Sequence, residues 1–306
     1  VRRVASCVPG GRYPLPSTVI MTATPAREAG VAEVVVLSPP GRTGRPHDAI
    51  LAAAHIAGAD GVFVAGGTQA VAAAAWGTAR LPAVDLLVGP GNAWVTEAKR
   101  QAFGAVGIDA LAGPSEVMVL ADDSADPTRV AADLLAQAEH DPEAEALLIT
   151  TDANLADAVE RALARQLATL PTADIARASL NQHGAILVVA DRAALFDAAN
   201  RRAPEHLHLH VRDLEAAAQA CTAYGGLFIG EDSAEVFGDY CAGGNHVLPT
   251  AGAARYTAGL SVHTYLRPLA SQRLSSDGAR ALVASTVTLA RIEGLEAHAR
   301  AAEERR

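Results

Sequence analysis

The chain has 306 residues, half of them hydrophobic, which is enough for two domains with substantial cores and too apolar for disorder. Its net charge is −9 and it lacks a long basic run, which argues against a nucleic-acid or anionic-membrane surface and favours small-molecule ligands. Cys7, Cys221 and Cys241 show no C-x-x-C spacing, no apolar run reaches the ~18 residues of a membrane span, and "VRRVASCVPGG" is too short and weakly apolar for a secretory signal. Free thiols, no membrane partner and a cytoplasmic location are therefore expected.

Short β-branched runs alternate along the chain with Ala-rich helical stretches. "AEVVVLS", "GVFVAGG" and "VDLLVGPG" form one group; "EVMVLADD", "EALLITTD", "AILVVAD" and "GGLFIGED" form a second. Such a rhythm predicts βα units and parallel sheets. The Gly- and Pro-marked "GIDALAGPSE", near residues 107–116, is where one sheet hands over to the next. From about residue 275 the pattern is helical without strands, ending in the Gly-interrupted "ARIEGLEAHARAAEERR". The expected fold is α/β, with two Rossmann-like parallel-sheet domains of an incomplete dinucleotide-binding type and a small helical C-terminal tail. The expected boundaries are 1–115, 116–257 and 258–306. A tail with so little core of its own should pack on another domain or another subunit.

Three Gly-rich turns, "CVPGGRYPLPS", "VAGGTQAVAA" and "VGPGNAWVTEAKR", adjoin strands. In the last two a strand runs into glycine and then a helix, which allows close backbone approach and offers helix N-terminal N–H groups to a phosphate. Neither is a full G-x-G-x-x-G. Gln69 and Asn92 sit at these loop-to-helix transitions, where an amide can face a nucleotide. The plain alternatives are helix capping by Asn92 and a surface position for Gln69.

"LLAQAEHDPEAE" ends an amphipathic helix whose core face carries Val130, Leu134 and Leu135. Gln137 and His140, three apart, leave that helix side by side; they read either as a pair of ligands or as a polar last turn. "RRAPEHLHLHVRD" puts Glu205 and His206 after a proline at the start of a strand. Adjacent strand residues face opposite ways, so both serve one site only if Glu205 still lies in the turn set by Pro204. A histidine suits proton removal from an alcohol, and a carboxylate beside it can activate water. His206, His208 and His210 share one strand face and imitate a three-His metal site, although exposed polar alternation is the simpler account of His208 and His210. "FGDYCAGGNHVLPT" holds Asp239, Asn245 and His246 in a glycine-rich loop of the kind that carries catalytic groups. Glu293 and His298 flank a glycine in the tail and, by sequence alone, are solvent-facing charges.

Taken together, "PGGRYPLPSTVIM", "GPGNAWVTEAKRQ", "AGPSEVMVLAD", "LLAQAEHDP", "APEHLHL" and "GDYCAGGNHVLPT" resemble, in order and spacing, the motifs of the L-histidinol dehydrogenase family, across nearly the whole chain. The resemblance implies a zinc-dependent homodimer with shared active sites. It would oxidise L-histidinol through L-histidinal to L-histidine, reducing two NAD, in the last steps of histidine biosynthesis. It further implies zinc ligation by Gln137, His140, Asp239 and His298, the last reaching the partner subunit's site. By the same resemblance Glu205 and His206 are the acid/base pair, with His206 taking the alcohol proton and Glu205 activating water. Zinc then acts as an orienting template for the substrate. Ser115, His246 and Glu293 would contact substrate, as would Gln137, His140, His206, Asp239 and His298; Gln69 and Asn92 would contact the nucleotide.

Two departures stand out. The family normally carries a further N-terminal segment belonging to the second domain and the dimer arm, so its lack is expected to weaken stability and dimerisation. Cys7 stands where the family has a cofactor-contacting tyrosine, which removes an aromatic surface and a hydroxyl and should weaken NAD binding. Competing readings are a zinc- and NAD-dependent dehydrogenase of another alcohol such as a sulfonated diol, a zinc hydrolase, and a non-catalytic binding homologue. The retention of "PEHL" with Glu293 and His298 favours histidinol.

Overall fold

A computed structural model describes residues 1–11 and 13–306 and divides the chain into two compact units, Val1–Leu266 and Arg267–Arg306. The first unit contains two five-stranded sheets, each built of parallel strands.

The first sheet comprises β1 (Arg3–Cys7), β2 (Glu33–Ser38), β3 (Gly61–Val64), β4 (Leu86–Val88) and β5 (Gly107–Ile108), in the order β3-β2-β1-β4-β5. Its helices are α1 (Pro16–Glu28), α2 (Asp48–Ile56), α3 (Gly67–Trp76) and α4 (Ala93–Ala102). Strand side chains alternate between two cores, as the period of two requires. Val4, Val34, Val36 and Val88 meet Val19 and Ala23 of α1 and Ile50 of α2, whereas Ala5, Cys7, Val35, Leu37 and Leu87 meet Val71 and Ala74 of α3 and Val95 of α4. Burial on both faces explains the unbroken apolar runs seen in sequence.

Strand order reverses at β1, with β2 and β3 added on one side and β4 and β5 on the other, so β1 and β4 flank the topological switch point where open α/β sheets bind ligands. Gly89, directly after β4, has φ +98°, and a Cβ there would lie 2.4 Å from the carbonyl oxygen of Cys7. Gly89→Ala is expected to destabilise the chain by at least the roughly 1–3 kcal/mol of a strained backbone. A lowered urea midpoint with an unchanged denaturant slope is the readout.

The second sheet comprises β6 (Glu116–Ala121), β7 (Glu145–Thr150), β8 (Ala185–Val188), β9 (His206–His210) and β10 (Gly226–Ile229). Its order, β10-β9-β6-β7-β8, repeats the topology of the first sheet. Helices α5 (Pro127–Ala138), α6 (Ala153–Leu167) and α7 (Ala173–His183) cover one face around Val117, Val119 and Leu148. The other face, with Met118, Leu120, Leu207 and Leu209, is covered by α8 (Arg192–Arg202) and α9 (Leu214–Ala220). After α10 (Glu235–Tyr240) an irregular segment returns to the first sheet. There Asn245 Nδ2 donates to Met21 O at 2.7 Å, and the fully buried Tyr265 donates its hydroxyl to Thr22 O at 2.7 Å.

The second unit holds α11 (Ser276–Ile292) and α12 (Glu296–Glu303), joined through Gly294 in a left-handed conformation. Val283, Val287, Ala290 and Ala299 form its small core, while Leu282, Leu289 and Ile292 are exposed. Among the described residues no helix is long and apolar enough to cross a membrane, and Cys7, Cys221 and Cys241 are free thiols.

Candidate active site

The site begins with α5. The Asp126 side chain caps its first turn, and Pro127 at the first helical position costs no hydrogen bond there. Val130, Ala131, Leu134 and Leu135 anchor the helix in the core; Asp133 and Gln137, one turn apart, reach β9 through their side chains. The helix ends at Ala138, earlier than the sequence suggests, so His140 does not stand beside Gln137 on a helix face. It lies exposed in the following turn, tied back by its N–H to Gln137 O at 3.2 Å. Gln137 is fully buried, which rules out a merely polar last turn for that residue.

Glu205 and His206 are both buried. Ala203, in a left-handed conformation at the end of α8, turns the chain, and Glu205 falls in the bend after Pro204 while β9 starts at His206. The condition for both residues to serve one site is thereby met. Parallel pairing sets Val117 opposite His206, which brings the Glu116 peptide groups alongside. The Glu116 N–H donates to Glu205 Oε2 at 3.0 Å, and its carbonyl lies 3.0 Å from His206 Nδ1. Glu116 is itself held by the Ala251 N–H and by Arg202, the latter at 2.5 Å.

Two acceptors, the Glu116 carbonyl and Gln137 Oε1, each lie 3.0 Å from His206 Nδ1. They place the imidazole proton on Nδ1 and leave a lone pair on Nε2. The His206 ring stacks on that of His246, with centroids 4.6 Å apart, and Glu235 Oε1 lies 3.6 Å from His206 Nδ1. His246 Nε2 lies 3.3 Å from Asp239 Oδ1, without hydrogen-bond alignment. Side-chain atoms of His206, Glu235 and His246 fall within 4.8 Å of one another, a grouping able to hold a metal ion.

Burial dominates the electrostatics. It pushes Glu205 well above the usual carboxylate range, against the pull of the Glu116 N–H. Glu235 is raised in the same way, with the charges of Asp239 and Asp133 adding to the effect. His206 is held well below the ordinary imidazole value by burial and then by His246. The neutral His206 thus keeps a free lone pair, and the carboxyls around it resist ionising together. Among the described residues, four of the buried side-chain atoms without a hydrogen-bond partner gather around His206: Gln137 Nε2, His206 Nε2, Glu235 Oε2 and His246 Nε2. Unpartnered buried polar atoms are costly, and such a concentration marks a place for a polar occupant.

Glu235 was not among the residues singled out by sequence. Its signal is present, because it precedes Asp239 by four residues and α10 carries both. Ser115 is half-buried immediately before β6. His208 and His210 correct an expectation: they are almost fully buried instead of forming an exposed polar alternation, and they face Asp133 of α5, not His206. Asn92 caps α4, its Oδ1 accepting from Val95 N–H at 3.1 Å, and Gln69 is exposed in the first turn of α3. Cys7 is packed into the core of the first sheet and its thiol is pushed up to about 11 by burial. Glu293 and His298 belong to the second unit, Glu293 capping α11 and His298 exposed on α12.

Residues 1–306 match the family described as histidinol dehydrogenase. The histidinol dehydrogenase of Thermus thermophilus is 49% identical over 306 residues, covering all of this chain and 73% of that protein. That of Rhizobium meliloti is 52% identical over 293 residues, covering 96% of this chain and 67% of that protein. A crystal structure of histidinol dehydrogenase from Elizabethkingia anophelis superposes with a TM-score of 0.95 at 37% identity, over all of this chain and 70% of that one. An acetylating aldehyde dehydrogenase from Geobacillus thermoglucosidasius, at a TM-score of 0.55 and 14% identity, shares the fold alone. With a whole-chain family match, close relatives in sequence and a near-superposable structure, the chain belongs to the histidinol dehydrogenase family.

Proposed function

We propose that this chain oxidises L-histidinol to L-histidine through L-histidinal, with two NAD as hydride acceptors and one zinc ion, as a cytoplasmic homodimer with shared active sites. The observation that carries this reading is the set of four unpartnered buried polar atoms beside Glu205 and His206. In this assignment residues 1–115 bind the nucleotide, 116–257 carry the acid/base and metal residues, and 258–306 contribute to the partner's site.

The donors suit zinc. Gln137, His140 and Asp239, with His298 of the partner subunit, offer the mixed nitrogen and oxygen set that zinc accepts. The second lone pair of Gln137 Oε1 remains available although the first faces His206. When bound, the ion supplies a positive charge that orients the substrate's imidazole and amine. Ser115, His246 and Glu293 are assigned as further substrate contacts. For NAD, support comes from the strand order of the first sheet, from the glycine turns at its carboxyl edge, and from the exposed Asn92 and Gln69 beside them. Dimerisation is supported by the exposed apolar Leu282, Leu289 and Ile292 of α11.

The geometry supports a division of the chemistry between His206 and Glu205. As hydride leaves the alcohol carbon for NAD, the hydroxyl proton passes to His206 Nε2, the lone pair that the Glu116 carbonyl and Gln137 Oε1 leave free. Glu205 then takes a proton from the water that adds to the aldehyde. Once His206 has passed its first proton to solvent, the resulting hydrate loses a second hydride to NAD and its remaining proton to His206, giving the carboxylate. The purified chain is expected to form two NADH per histidinol consumed, with histidine as the stable product, measured by absorbance and chromatography. Reduction of NAD by a sulfonated diol but not by histidinol would overturn the substrate, and no reduction with any alcohol would overturn the activity.

A further inference from the structure

One rung along β9 from His206 lies a second cluster to which the oxidation assigns no task. His208 and His210 are 0% and 1% exposed, and the Asp133 side chain is 12% exposed. Asp133 Oδ2 lies 3.1 Å from His208 Nδ1 and 3.0 Å from His210 Nε2, and the two nitrogens are 3.3 Å apart. Three donor atoms at the corners of so small a triangle match one face of a tetrahedron. At zinc–nitrogen bond lengths of about 2.0–2.1 Å, neighbouring corners stand about 3.3 Å apart.

The hydrogen bonds around the triangle fit a cation. His208 Nε2 lies 3.2 Å from the carbonyl of Gly230, so it carries the proton and leaves Nδ1 with its lone pair towards Asp133. His210 then has no satisfactory neutral form. A proton on Nε2 leaves Nδ1 buried without a donor, the state in which it has no hydrogen-bond partner. A proton on Nδ1 faces Glu231 Oε1 at 3.8 Å, but then two lone pairs and a carboxylate converge with nothing between them. Glu231, Asp232 and Asp126 make the rim acidic, and the guanidinium of Arg129 is already engaged by Asp232 at 2.8 Å and Glu231 at 3.7 Å.

We propose that Asp133, His208 and His210 hold a divalent transition-metal ion of the zinc class, separate from the ion assigned to Gln137, His140 and Asp239. Three protein donors leave one coordination position for water. The ion ties α5 to β9 and so fixes the elements that carry Gln137 and His206; its role is positional. Imidazole nitrogens with a single carboxylate select zinc, cobalt or nickel over magnesium and calcium.

The test uses the full chain, stripped with a chelator and reloaded with excess cobalt(II). An anomalous difference map above the cobalt edge should show a peak about 2.0–2.2 Å from Asp133 Oδ2, His208 Nδ1 and His210 Nε2. Equilibrium dialysis should show one equivalent fewer for H210Q and for D133N than for the unmodified chain, with folding checked by circular dichroism. A saturated crystal with no density at this triangle overturns the proposal. The map decides even if both variants misfold. It also decides independently of the first centre, whose own peak is read in the same experiment.

Discussion

His206→Asn is expected to lower kcat for histidinol oxidation by about 10²–10⁴-fold, the usual contribution of a positioned general base, with a much smaller change in KM. Asparagine offers an amide N–H where the imidazole has Nδ1–H, so the bonds to the Glu116 carbonyl and Gln137 Oε1 can be kept. What it cannot supply is the lone pair at Nε2, which is buried and unpartnered. A loss confined to KM, or full kcat in a variant whose circular dichroism is unchanged, would remove His206 from the proton transfer. Oxidation of added histidinal should fall as well, because the hydrate must also shed a proton.

Much of the fold is written in local pattern. Strands such as Glu33–Ser38 and Glu116–Ala121 are unbroken apolar runs, because helices cover both faces of each sheet. The central strand of the first sheet, Arg3–Cys7, escaped that pattern. Its Ala5 and Ser6 are poor β-formers, and it is a strand because both its edges are paired, with β2 and β4. β5 is two residues long and carries no periodicity at all.

The site was legible to the extent that its chemistry is local. Glu205 and His206 are neighbours in sequence, and the proline turn alone gave the condition under which they could act together. Glu116 was invisible as a clamp because it works through its peptide groups, which only the β6–β9 register brings into place. His208 and His210 depart from the expected exposed alternation for a related reason. Alternation on a strand signals a polar face, but whether that face meets water depends on the helix above it, and here α5 brings Asp133 down onto it. Glu235 sits in a helix of six residues, too short for a pattern to form around it.

Glu205→Gln is expected to separate water activation from alcohol oxidation. Glutamine keeps the shape of the carboxyl group and an oxygen for the Glu116 N–H, now 3.0 Å from Glu205 Oε2, so the turn ahead of β9 should hold. Glu205 Oε2 lies 3.9 Å from His206 Nδ1, beyond hydrogen-bond distance, so the substitution should leave proton transfer to His206, and with it hydride transfer from histidinol, largely in place. Water addition to the aldehyde loses its base, and oxidation of supplied histidinal should drop by about 10²-fold or more. Reduction of histidinal by NADH requires no water to be activated and should fall far less. The comparison is made on one preparation, in both directions, with histidinal added in each. Equal losses would mean that Glu205 only braces the Glu116 peptide, with His206 as the single proton carrier; a selective loss of oxidation would assign the water to Glu205.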